Sequence, residues 1–223
     1  MNDVSFTDPA ETLPRAHRDI PGTDARPRPV SDAVDVDGVS PTATGPTTTG
    51  ASAASTAAAA TFPPVDPADL AAVAEQLGRE PRGVVEIAAR CVCGRPTVVR
   101  TSPRLPDGTP FPTSYYLTHP GAVSSVSTLE GSGLMTEMTD RLPGDAELAA
   151  AYRRAHEDYL AARAELGDVP EIAGISAGGM PGRVKCLHVL VGHSLARGRG
   201  VNPFGDEALD LIASSWSPTR CTC

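Results

Sequence analysis

Residues 176–197 read SAGGMPGRVKCLHVLVGHSLAR, a glycine-rich turn followed by an apolar helical pattern. The pattern predicts a helix from about residue 182 to residue 197, with Pro181 placed where its missing N–H costs nothing. Apolar residues form two stripes on nearly opposite sides of this helix. We therefore expect it at the centre of the fold, with other elements packed on both sides.

Outward from this helix, the sequence predicts further helices and a small antiparallel sheet. One helix runs from the capping Asp66 to Gly78, where a positive φ is easily adopted. The other expected helices cover residues 123–129, 134–142, 145–166 and 206–216, and the expected strands cover residues 84–92, 97–101 and 114–118. The predicted fold class is α+β and helix-dominated, with a three-stranded sheet packed with about five to six helices.

The composition divides the chain into three parts. Residues 1–60 consist mostly of Pro, Thr, Ala, Gly, Ser and Asp, with Phe6 as their only aromatic residue. Such a segment buries too little apolar area to offset the entropy of ordering, so a disordered arm is predicted. Residues 62–217 are predicted to form a single globular domain, and residues 218–223 a flexible tail that contains two cysteines.

Charge and hydropathy exclude several classes of partner. The formal net charge is −8, and neither half of the chain offers the basic surface that binds a phosphate backbone, so no nucleic-acid partner is expected. No stretch is apolar enough for a membrane span, and the N-terminus lacks a signal-peptide pattern. A cytoplasmic protein is predicted, in which five cysteines serve as thiols, ligands or buried residues.

Four sequence blocks carry a resemblance to a known family. They read LGREPRGV (77–84), PRLPDGTPFPTSYYLTHP (103–120), AYRRAHEDYL (151–160) and SAGGMPGRVKCLHVLVGHSLARGRGVNPFGDEAL (176–209). The chain resembles the actinobacterial proteins grouped as domain of unknown function 501, over residues 66–216. The resemblance implies no activity, but genes of this family tend to lie near a septum-formation initiator and an exopolyphosphatase.

Lys185 is the only lysine of the chain and lies beside the glycine turn. Backbone N–H groups of such a turn, followed by a helix N-terminus, favour a phosphate-type or carboxylate ligand. The predicted ligand-binding residues are Ser176, Gly178, Gly179, Arg183, Lys185, Arg104 and Asp107, the last two from a loop expected to act as a lid. Lys185 and His188 are the candidate catalytic residues. A tight turn that only lets the helix pack closely is an equal alternative.

Cysteine and histidine residues suggest a weaker metal hypothesis. The candidate ligands of a structural zinc ion are Cys91, Cys93, His119, Cys186 and His193, with Cys221 and Cys223 in the tail. Helical spacing places Cys186 and His193 too far apart to bind one ion. Cys186 is interpreted as a buried, inert thiol, because the predicted helix begins about four residues before it.

Three functions therefore remain open. The working hypothesis is a small-molecule-binding domain for an anionic ligand, with or without catalysis. The first alternative is a non-catalytic adaptor that contacts cell-division proteins, and the second is a structural zinc protein. The sequence leaves both the cofactor and the question of enzymatic activity open.

Overall fold

A computed structural model describes residues 62–220 of the chain. The predicted N-terminal arm lies outside the described residues, and so do Cys221 and Cys223 of the predicted tail. No helix within the described part is long and apolar enough to cross a membrane.

The described residues form six α-helices, a three-stranded sheet and two short 3₁₀ turns. The helices are α1 Pro67–Leu77, α2 Pro120–Glu130, α3 Leu134–Arg141, α4 Ala146–Ala164, α5 Leu187–Arg197 and α6 Pro203–Leu211. The strands are β1 Val84–Arg90, β2 Pro96–Thr101 and β3 Tyr115–Leu117. The predicted helix-dominated α+β class with a small antiparallel sheet is confirmed.

Side-chain caps determine where several of the helices begin. At the start of α1, Asp66 accepts a hydrogen bond from the Ala68 N–H at 2.8 Å. At the start of α4, Asp145 accepts one from the Leu148 N–H at 2.9 Å. Asn202 accepts from the Gly205 N–H at 3.0 Å, so α6 begins at Pro203 and ends at Leu211. The predicted range of 206–216 is therefore wrong at both ends. The helix starts earlier than predicted because Asn202 caps it and Pro203 occupies its first position.

The sheet has the order β1-β2-β3, with both pairs antiparallel. β2 lies in the middle, and all six of its residues are buried. Val98 of β2 lies opposite Leu117 of β3, and Val99 lies opposite Ile87 of β1. Val98 and Val99 are at most 1% exposed, while the buried Arg100 of the same strand is paired with Glu86 and Glu165.

α5 lies at the centre of the fold, packed against β3 and α6. Gly192 allows the close approach to β3, since a Cβ there would lie 3.3 Å from the Tyr115 carbonyl oxygen. Gly205 allows the crossing with α6, since a Cβ there would lie only 2.2 Å from the Leu190 carbonyl oxygen. The expected central position of this helix thus depends on two glycines as well as on its apolar stripes.

The start of α5 differs from the prediction. The helix begins at Leu187 and not near residue 182. The residues before it are bonded to other segments, since the Gly178 carbonyl accepts the Lys185 N–H at 2.8 Å and the Thr139 hydroxyl accepts the Val184 N–H at 2.9 Å. Partners supplied by the rest of the fold therefore replace the first predicted turn of helix.

Candidate functional site

The predicted glycine turn is held by its own backbone bonds. Gly178 and Gly179 have φ angles of +73° and +93°, which favour glycine. The Gly179 carbonyl accepts the Arg183 N–H at 3.1 Å, and a Cβ at Gly178 would lie 2.8 Å from the Leu190 side chain of α5. The turn therefore packs beside α5 and does not lead directly into its N-terminus, so that part of the predicted anion site is wrong. Anion binding by the turn itself stays a prediction.

The polar side chains expected to form one site around this turn lie in different environments. Ser176 is buried, and its hydroxyl contacts Nδ1 of His156 at 2.9 Å and donates to the Met180 carbonyl at 3.2 Å. Arg183 and Lys185 are exposed, and neither forms an ion pair with any of residues 62–220. Lys185 lies before α5 and not on it.

The charged residues of the loop expected to act as a lid form ion pairs with residues outside the glycine turn. The Arg104 guanidinium donates to both carboxylate oxygens of Glu171, at 2.8 and 2.7 Å. Asp107 pairs with Arg82 at 2.5 Å. Within the described part of the chain, neither Arg104 nor Asp107 hydrogen-bonds to the glycine turn.

Cys186 is the residue whose setting differs most from the expectation. It is the N-cap of α5, with φ −150° and ψ 110°, and does not lie inside the helix. Its side chain is partly exposed and lines a cavity together with His188. The interpretation of Cys186 as a thiol buried inside a helix is therefore wrong, because that interpretation depended on a helix start near residue 182.

The N-terminus of α5 is capped by a carboxylate from another helix. Glu130, the last residue of α2, places Oε1 at 2.6 Å from the Leu187 N–H nitrogen and 3.4 Å from that of His188. The same oxygen lies 3.0 Å from Nδ1 of His188. Glu130 thus satisfies backbone donors at the positive end of α5 and also orients the imidazole ring.

Glu130, Cys186 and His188 form one cluster, which we call the thiol cluster. One carboxylate oxygen, the sulfur and one ring nitrogen lie within 4.8 Å of one another. Nε2 of His188 lies 3.3 Å from the Val123 carbonyl and 3.2 Å from the Ser127 hydroxyl. Acceptors therefore surround both sides of the imidazole ring, which favours its doubly protonated form.

The electrostatics of the thiol cluster follow from these contacts. Hydrogen bonding to Cys186 and to Glu130 raises the pKa of His188 to about 9, although burial opposes the shift. Burial favours a higher pKa for Glu130, but hydrogen bonds from His188 and from the Leu187 N–H lower it below its ordinary value. At neutral pH an imidazolium and a carboxylate therefore lie beside the sulfur.

The thiol cluster lies at the edge of a cavity of about 670 Å³. Most of its lining is apolar or aromatic, and Leu77, Tyr116, Val123 and Val189 contribute to it. Small-molecule sites are typically concave, largely apolar and supplied with a few polar groups, which this cavity matches. β3, α1 and α2 form the remaining walls, so the site depends on elements from most of the described chain.

The remaining histidine on α5 belongs to the core. His193 is fully buried, its Nε2 lies 2.9 Å from an Asp158 oxygen, and its ring stacks on Tyr115 at 5.5 Å between centroids. The Asn202 amide contacts its Nδ1 at 3.3 Å. Burial lowers the pKa of His193, which indicates a neutral, hydrogen-bonded core residue.

The predicted zinc ligands are only partly brought together. The Sγ atoms of Cys91 and Cys93 lie 2.7 Å apart at the β1–β2 turn, and His119 caps α2 through Nδ1. Within residues 62–220, the thiol cluster is the one group of three Cys, His or acidic residues spaced to hold a metal ion. Cys186 thus pairs with His188 and Glu130 and not with the other predicted ligands.

The comparison with protein families agrees with the sequence blocks. The family described as protein of unknown function (DUF501) matches residues 87–210, more than half of the chain. The chain belongs to this family. The match covers β2, β3 and α2 to α5, and therefore includes all three residues of the thiol cluster. No curated protein and no solved structure matches the chain.

Glu130 is the functional residue that the sequence analysis missed. It lies 56 positions before Cys186, at the C-terminal end of a different helix. The two residues are close only because α2 packs against α5. No local pattern identifies Glu130 or the position of Cys186 at the start of α5, because cysteine is not among the residues that favour an N-cap.

Proposed function

We propose that this chain is a thiol-dependent enzyme for acyl substrates, with Cys186 as the nucleophile and His188 as its acid–base partner. The observation that carries the proposal is the thiol cluster itself: Cys186, His188 and Glu130 within 4.8 Å of one another, at a helix N-terminus and at the edge of a cavity. Reactive cysteines are typically partly exposed and lie beside a protonated histidine or at a helix N-terminus, and Cys186 has both of these neighbours.

The residues have distinct roles in the proposed reaction. Cys186 reacts as the thiolate beside the His188 imidazolium: its sulfur attacks the carbonyl carbon of the substrate, the C–S bond forms, and the bond to the leaving group breaks as the imidazolium passes one proton to that group. Water then attacks the thioester, the C–S bond breaks, and the acid leaves while a water proton returns to His188. Glu130 is a positioning residue that orients the ring and keeps it protonated.

Acetylation by p-nitrophenyl acetate tests the proposal on the full chain. Mass spectrometry of peptides is expected to find acetyl on Cys186, formed about tenfold faster in the folded protein than in urea. His188→Gln is expected to remove this advantage, because glutamine cannot donate a titratable proton. His156→Gln, a matched histidine that contacts Ser176 and lies outside the cluster, is expected to leave the rate unchanged.

Two results of that experiment would contradict the proposal. One is a rate of Cys186 acetylation in the folded chain no faster than in the unfolded chain. The other is an equal rate in wild type and His188→Gln while both remain folded by circular dichroism. Iodoacetamide labelling of Cys186, read in the same peptides, separates a thiol that is inaccessible from one that is accessible but unreactive.

A second candidate function is metal binding by the same cluster. A carboxylate, a thiolate and an imidazole are ligands that zinc accepts, and three protein ligands beside a cavity are typical of an open site. The Val123 carbonyl near Nε2 matches the partner that ligating histidines commonly have. About one equivalent of zinc in purified protein, lost in Glu130→Gln, would favour this candidate over the nucleophile.

The anion-binding and adaptor hypotheses from the sequence remain proposals of lower rank. The exposed Lys185 and Arg183 support a weak anion site beside the glycine turn. Thermal stabilisation by phosphate that Lys185→Ala abolishes would favour it. An adaptor is tested by pull-down of division proteins, which deletion of residues 1–60 should alter while Cys186→Ser should not.

A further inference from the structure

The cavity beside the thiol cluster offers a ligand very little charge. Among the described residues that line it, none is Asp, Glu, Lys or Arg. Apart from Cys186 and His188 at its edge, the lining side chains are therefore uncharged at neutral pH. A charged group that entered this cavity would lose its hydration without gaining a partner, which is costly. The cavity favours an uncharged ligand.

Two polar side chains of the lining are already bonded to the protein. Gln76 donates to the Pro96 carbonyl at 2.8 Å, and the Thr118 hydroxyl donates to the Thr97 carbonyl at 3.4 Å. Both acceptors belong to β2, so these donors hold the walls of the cavity to the sheet. Recognition of a ligand in the cavity therefore depends mainly on apolar contact.

The apolar part of the lining is accessible to a ligand. Leu77 of α1, Tyr116 of β3, Val123 of α2 and Val189 of α5 are each partly exposed and line the cavity. Its volume of about 670 Å³ is within the range of pockets that hold drug-sized molecules. An acetyl group would occupy only a small part of it. The volume and the apolar walls both favour a larger hydrocarbon group.

We propose that the thiol cluster acts on uncharged, apolar acyl groups of several carbons, and that this cavity binds the acyl chain. This inference rests on the proposed thiol function and adds the substrate class. With the reacting carbonyl at Cys186, the hydrocarbon chain lies against the apolar walls, and each methylene removed from water strengthens binding. A chain that ends in a carboxylate is disfavoured, because no described lysine or arginine lines the cavity.

Three p-nitrophenyl esters test this selectivity on the full chain. They are the acetate, the hexanoate and the hydrogen adipate, whose acyl group has the six carbons of hexanoate but ends in a carboxylate. Acylation of Cys186 is measured by mass spectrometry of peptides, in the folded chain and in urea. The rate in the folded chain relative to urea is expected to be about tenfold or more higher for hexanoate than for acetate. For hydrogen adipate it should be no higher than for acetate.

A variant of the cavity wall should change the preference. Leu77 is partly exposed at the end of α1. Leu77→Arg is expected to lower the ratio of the hexanoate rate to the adipate rate by about tenfold or more, because a guanidinium pairs with the terminal carboxylate. Val92→Arg is the matched control, since Val92 is 67% exposed and does not line the cavity. It should leave the ratio unchanged.

Protection of Cys186 tests the cavity without acyl transfer. Hexanamide is expected to slow iodoacetamide labelling of Cys186 in wild type, whereas acetamide at the same concentration should not. This measurement needs neither a reactive ester nor a folded variant.

The results separate failure of this inference from failure of the thiol function. If none of the three esters acylates Cys186 faster in the folded chain than in urea, the thiol function is refuted. If acetate does so but hexanoate reacts no faster than acetate, or hydrogen adipate reacts as fast as hexanoate, only the substrate class is refuted. Equal protection by hexanamide and acetamide would also overturn it.

Discussion

Replacement of His188 by glutamine is expected to destabilise the protein by an amount that depends on pH. The pKa of His188 is about 9 in the folded protein, against an ordinary value of 6.5. Below pH 6.5 both the folded and the unfolded state hold the proton, so the full stabilisation is present. As pH rises toward 9 the unfolded state loses the proton first, so the stabilisation decreases and is lost above the folded pKa.

The magnitude follows from the size of the shift. Each pKa unit corresponds to about 1.36 kcal/mol, so the rise from 6.5 to about 9 sets a ceiling of about 3 kcal/mol. The His188 side chain is 25% exposed, and solvent screening reduces this to about 2 kcal/mol. Glu130 stays ionised throughout this window because its pKa is lowered from 4.5.

Urea denaturation of wild type and His188→Gln, at about pH 6 and at about pH 9.5, measures the effect. The difference in unfolding free energy between the two proteins should be larger at the lower pH by about 2 kcal/mol. His156→Gln serves as the matched control, because burial lowers the pKa of His156 and its pH dependence should have the opposite sign. A wild-type advantage that is equal at both pH values would refute the reasoning about the thiol cluster.

Two further predictions concern packing and capping. Gly205→Ala should destabilise the protein by about 2 kcal/mol or more, since its Cβ would lie 2.2 Å from the Leu190 carbonyl oxygen, whereas Gly144→Ala, with no atom within 4 Å, should be near neutral in urea denaturation. Asp145→Ala should cost about 1 kcal/mol in the same assay, because α4 loses its N-cap, while Asp145→Asn should retain most of the stability.

The helices and strands were largely predictable, because their signals are local. Asp66 and Asp145 mark helix starts through short side chains that accept backbone bonds, and Val98 and Val99 mark a buried strand. The start of α5 was not predictable in this way. Its first predicted turn is replaced by a bond to the Gly178 carbonyl, seven residues before Lys185, and by a bond to the Thr139 hydroxyl, which lies 45 residues before Val184.

The candidate site was likewise predictable only in part. His188 and Cys186 were identified as residues of interest from Cys-Leu-His in an apolar helix, but their relation depended on where that helix begins. Glu130 was not identified. It acquires its role from the first N–H groups of α5, which are far away in the sequence and which a local pattern does not encode.

The sequence by itself determined the α+β class, the family and the central apolar helix, because composition, periodicity and caps act over short distances along the chain. Only the tertiary structure decided that this helix starts at Leu187, and that Cys186 therefore caps it beside His188 and Glu130. The physical reason is that the first N–H groups of a helix need acceptors, and here a carboxylate from α2 supplies one.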